Sequence, residues 1–95
     1  MGEEAAKRER WVEEQQQKLA RAFEAVRGGE GQVHVAARAK ISRSAYDGVE
    51  NGKGNPELST LLKAAYALKL PLGDVLLAAL PGLLRDAAAR RKSLQ

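Results

Sequence analysis

Cysteine is absent from the 95 residues, which excludes a disulfide framework and any thiolate metal site. Histidine occurs once, as His34, and one imidazole without partners cannot make a metal centre. No glycine-rich loop followed by Lys-Ser or Lys-Thr is there to cradle phosphates, and no Ser/His/Asp set is visible. The chain is therefore read as non-enzymatic, with no catalytic residue, no metal site and no cofactor. Long apolar runs are missing too: LPLGDVLLAALPGLL is interrupted by proline and glycine and is too short to span a bilayer. The start, MGEEAAKRER, lacks the apolar stretch of a signal peptide. A soluble, cytoplasmic protein is expected, and its length suits one small domain with an arm or a tail.

Charge of one sign is also lacking over most of the chain. The net charge is +4, yet residues 1–27 hold six basic and six acidic side chains and cancel. Residues 28–55 carry Arg38, Lys40, Arg43 and Lys53 against Glu30, Asp47 and Glu50, so the middle of the chain is only mildly basic. Such a balance fits an anionic partner without identifying one. Pattern has to carry the reading.

The periodicity is helical, and no stretch alternates as a strand would. Val12, Leu19, Phe23 and Val26, with Trp11 and Ala22, mark one face of a long first helix that ends at Gly28-Gly29. Its opening turns have no apolar stripe, only Glu3–Lys7 and Glu4–Arg8 pairs worth about 0.2–0.5 kcal/mol each, so residues 1–15 read as a solvated, fraying helical extension. A short second helix, 32–39, buries Val35, Ala36 and Ala39. Ser42 is a good N-cap for a third helix running to about Glu50, with Ala45, Tyr46 and Val49 expected inside. Asn55-Pro56 signals the start of a fourth helix, with Leu58, Leu61, Leu62, Ala65 and Leu68 at three-and-four spacing. Pro71 opens a fifth through Leu72, Val75, Leu76 and Leu80, stopped by Pro81-Gly82, and residues 81–95 form a short helical tail.

From residue 32 to about 77 the chain resembles the Cro/phage-repressor (XRE) group of helix-turn-helix proteins. The resemblance rests on Gln32 opening the second helix, Val35-Ala36 behind it, Ile41 in the turn, S-R-S at 42–44, V-E-N-G-K at 49–53, N-P at 55–56, and L-K-L-P-L-G-D-V-L at 68–76. LARAFEAVR, with Leu19, Phe23 and Arg27 at four-residue spacing, is similar to the family's first helix. The fold implied is all-α: a five-helix, lambda-repressor-like helix-turn-helix domain over 16–80, with an extended N-terminal helix and the tail.

The function implied is sequence-specific binding of double-stranded DNA, as a transcriptional regulator and repressor. Arg43, Ser44 and Asp47 would reach base edges in a major groove about 12 Å wide. Gln32, Lys40, Ser42, Asn51 and Lys53 would grip phosphates, helped by the N–H groups of Gly52 and Gly54. The family also implies that Arg27 pairs with Glu50. Its alternative role, as an antitoxin or co-regulator, would give the chain a protein partner.

Several residues depart from the family's pattern. Lys40 stands where the tight turn takes glycine, so either the turn differs or the lysine bears a left-handed strain of about 1–2 kcal/mol. Gly48 lies inside the third helix, excused by close approach to DNA or by mobility until binding. Tyr46 replaces an aliphatic residue and needs a partner for its hydroxyl. The connection between Arg27 and Gln32 is shorter than usual. His34 should face solvent. The apolar residues of 72–84 surround nearly a whole helix, and a twofold partner covering them would give a homodimer suited to an inverted repeat.

Overall fold

The computed structural model describes residues 2–52 and 54–79, without the side chains of Leu76, Ala78 and Ala79. The tail at 81–95 and the residue Lys53 lie outside the described residues. Five helices follow in order: α1 (Gly2–Arg27), α2 (Gln32–Ala39), α3 (Arg43–Asn51), α4 (Leu58–Ala67) and α5 (Leu72–Ala79). No strand occurs among the described residues, and the fold is all-α as expected.

Helix α1 runs without a break through the charged opening turns. Its covered face is narrower than the sequence suggests: Ala20, Ala22 and Phe23 are buried, while Trp11 is 60 % and Val12 41 % exposed. The apolar pattern keeps its phase up the helix, but the covered part starts near Leu19. Gly28 takes φ 60° at the end of α1, a conformation that costs glycine little.

The core is assembled from Phe23, Val35, Tyr46, Val49 and Val75 with alanines from α1, α2 and α4. Small side chains dominate where helices approach. Ala36 and Ala39 of α2 are buried, as expected, and α2 packs on both α3 and α4.

Helix α4 corrects the sequence reading twice. It begins at Leu58 with Glu57 as N-cap, two residues later than the Asn55-Pro56 signal implies. Its buried residues are Ala64, Ala65 and Ala67, whereas Leu58 and Leu62 are 64 % and 49 % exposed. The physical reason is phase. Successive residues turn about 100°, so Leu61, Ala64, Ala65 and Leu68 form one stripe and Leu58, Leu62 and Tyr66 a neighbouring one. Only one stripe can face the core, and the alanines allow the closer approach.

In α5, Val75 is fully buried and Leu72 packs against the core, leaving Leu77 exposed. Part of the apolar circumference assigned to a dimer face is thus spent internally. The remainder, Leu76 and residues 80–84, is outside the described side chains.

Candidate nucleic-acid interface

Helix α3 is held by its two ends and by one buried face. Ser42 adopts extended backbone, φ −70° and ψ 157°, and its Oγ accepts a hydrogen bond from the Ala45 N–H at 3.0 Å. That cap satisfies one of the orphan donors of the first turn. The hydroxyl hydrogen stays free to donate outward, so capping and a phosphate contact are compatible. At the other end Gly52 takes φ 69°. The Gln17 amide of α1 reaches the Gly52 carbonyl at 3.4 Å, so α1 covers the end of α3.

Between these ends Tyr46, Val49 and Glu50 are buried. Arg43, Ser44 and Asp47 are exposed and together line one shallow depression. Ala45, expected in the core, is exposed on the same outward side; Glu50 takes the inward place instead, because its carboxylate has partners there. The Asp47 carboxylate accepts a long hydrogen bond, 3.4 Å, from the Asn51 amide one turn on. Gly48 lies beside this face with nothing within 4 Å of where a Cβ would stand.

The turn before α3 keeps the left-handed geometry with a lysine in it. Lys40 has φ 60° and ψ 39°, and the Ile41 N–H bonds the Ala36 carbonyl at 3.1 Å, the pattern that closes helices on a left-handed residue. Of the two possibilities the sequence left open, strain is the one realised. The exposed ammonium of Lys40 therefore projects from a fixed turn next to the start of α3.

Inside, one carboxylate organises three elements. Arg27 Nε donates to Glu50 Oε2 at 2.7 Å and Nη2 to Oε1 at 2.9 Å, and Gln32 Nε2 adds a bond to Oε1 at 3.1 Å. Arg27 Nη1 also donates to the Glu30 carbonyl at 2.7 Å, so the short α1–α2 connection is bound to the same guanidinium. Burial pushes the Glu50 carboxyl up, but Arg27, the Tyr46 hydroxyl and Gln32 outweigh this and hold it below the usual range. One amide N–H of Gln32 is thus committed internally, to the buried carboxylate, which leaves its second N–H and the N-terminus of α2 as outward donors.

The Tyr46 hydroxyl is buried beside the Glu50 carboxylate but outside good hydrogen-bond geometry. Burial, with the Glu50 charge close by, raises the phenol well above its ordinary range.

Sequence reasoning missed Gln17, and it missed the part played by Arg38. Arg38 donates to the Ala67 carbonyl through Nε at 3.1 Å and Nη2 at 2.9 Å, and pairs with both carboxylate oxygens of Glu30. It thus clips the α1–α2 loop to the end of α4. No local signal marks either residue, since the carbonyls they bind lie more than twenty residues away in sequence. His34 is exposed, as expected. Among the described residues no three His, Cys, Asp or Glu side chains gather as a metal ion would require, and no helix is long and apolar enough to cross a membrane.

The helix-turn-helix family model matches residues 32–75, from the first residue of α2 to the buried valine of α5. No curated protein and no solved structure matches the chain.

Proposed function

We propose that the protein, whose residues 32–75 match the helix-turn-helix family model, represses transcription by binding duplex DNA with α3 in the major groove. The observation that carries the reading is the grouping of Arg43, Ser44 and Asp47 in one exposed depression on the first turns of a helix whose other face is anchored by Tyr46, Val49 and Glu50. Arg43 has the fork to bridge guanine O6 and N7, Ser44 donates or accepts, and Asp47 accepts from cytosine N4. The exposed methyl of Ala45 is suited to a thymine methyl. Lys40 and Ser42 at the front of α3 serve as phosphate contacts, with Asn51, Lys53 and the start of α2 as the further grips.

A single helix of this length reads only a few base pairs, so the protein acts as a homodimer on an inverted repeat, its two α3 helices about 34–36 Å apart. Selection of bound duplexes from a random pool tests both parts. Enrichment of an inverted repeat is the expected result. Recovery of no preferred sequence would overturn specific reading, and a lone half-site would overturn the dimer on DNA.

A further inference from the structure

The sequence leaves Leu58 and Leu62 pointing to the core, and the structure puts them outside, with Tyr66 79 % exposed one turn further on. Four-residue spacing aligns the three side chains on one side of α4. The stripe runs into an open apolar groove at the α4–α5 turn, where Tyr66 is joined by Leu70, Pro71 and Leu72 and Lys69 stands at the rim. Three large apolar groups in a line beside a groove form a contiguous patch, and such patches mark binding surfaces.

We propose that this stripe is the dimer interface, occupied by α4 of a second copy running antiparallel across a twofold axis near Leu62. The inference rests on the dimer reading above and names its surface. Three observations single out a second copy. First, antiparallel pairing about Leu62 brings Leu58 of one copy over Tyr66 of the other, so the apolar groove at one end of each stripe receives the leucine at the opposite end of its mate. Second, the formal charges at the two ends of α4 differ, Glu57 at the start and Lys69 just past the end, and antiparallel pairing brings unlike ends together at both rims, where parallel pairing would join like with like. Third, the face on α5 that competes for the role has surrendered Val75 to the core. An isologous contact of this kind makes the two α3 helices symmetry mates, as an inverted repeat demands.

The chain has no cysteine of its own, which makes cross-linking a clean test, done on the full chain without DNA. Leu62→Cys, on the axis, should form a disulfide with its own copy, while a mixture of Leu58→Cys and Tyr66→Cys chains should give the mixed disulfide in preference to either symmetric one. Light scattering should report a dimer at micromolar concentration for the parent and a monomer for Leu62→Glu, with unchanged helical circular dichroism, since Leu62 is half exposed. Glu57→Lys and Lys69→Glu should each weaken the dimer about five-fold, and the double exchange should restore it. A parent that stays monomeric overturns the dimer reading as a whole and leaves DNA binding standing. A dimer that survives Leu62→Glu but dissociates with Leu77→Glu overturns only the α4 interface.

Discussion

Arg27 and Glu50, twenty-three residues apart, meet in a two-pronged ion pair of 2.7 and 2.9 Å in which the Glu50 side chain is only 3 % exposed. This pair fixes α3 against α1, and it stands with the Arg27 side chain also largely covered. Removing one partner leaves the other uncompensated in a low-dielectric site, so Glu50→Gln should cost about 3 kcal/mol in urea unfolding. A variant as stable as the parent would mean that the pair contributes nothing net.

The same carboxylate predicts how stability follows pH. Its folded pKa is held below the unfolded value, so its contribution is fully present above the unfolded pKa, about 4.3, and is lost as pH falls through the folded one. The melting temperature of the parent should drop on acidification below about pH 4, and the Glu50→Gln curve should be flatter there. Glu30, also held low by Arg38, is exposed, so added salt should erase its share and leave that of Glu50.

Lys40 and Lys69 both sit in left-handed backbone, at φ 60° and 66°. Replacing either by glycine relieves about 1 kcal/mol of strain and should raise stability. Their effects on DNA should part: Lys40→Gly should lower affinity for every duplex alike and reduce the salt slope by about one unit, while Lys69→Gly, which acts only through the dimer contact, should leave binding to an isolated half-site unchanged. Equal DNA behaviour of the two variants would remove Lys40 from the interface.

Tyr46→Phe deletes a buried hydroxyl that lies beside the Glu50 carboxylate and keeps the ring that fills the core. A small rotation lets the O–H donate to that buried charge, so thermal and urea unfolding should show a loss of about 1 kcal/mol. A gain would mean that the hydroxyl goes unpaired in solution.

Arg43→Ala should cost about 1–3 kcal/mol on the preferred site and relax selection at one base pair. Quantitative binding to a set of single-base variants checks it, with Lys40→Ala as the contrast: a uniform loss for Arg43→Ala would make it a phosphate contact.

Much of this was legible because it is local. Helix boundaries at Gln32, Arg43 and Leu72, the Ser42 cap and the glycine stop of α1 follow from short-range rules about orphan N–H groups and positive φ. The outward set Arg43, Ser44 and Asp47 follows from the phase of a nine-residue helix. The Arg27–Glu50 pair came from the family's pattern and holds in the structure. What escaped depends on choices between equivalent local solutions. Helix α4 carries two apolar stripes, and only packing against α2 and α3 decides that the alanines go inside. Ala45 stays outside because Tyr46, Val49 and Glu50 fill the inward face of α3. Gln17 and Arg38 bind backbone carbonyls contributed by distant segments, which no window of sequence displays.

The pairing of α1 with α5 bears on how the molecule is made. Val75 fills the core alongside Phe23, so the first of the five helices to be made waits for the last. A nascent chain that has emerged only through α4 possesses α2 and α3, yet lacks the valine that seals the core. Folding of α3 against the core is thereby tied to emergence of α5 from the ribosome, and a chain interrupted before that point would carry α3 without the support that holds it in shape.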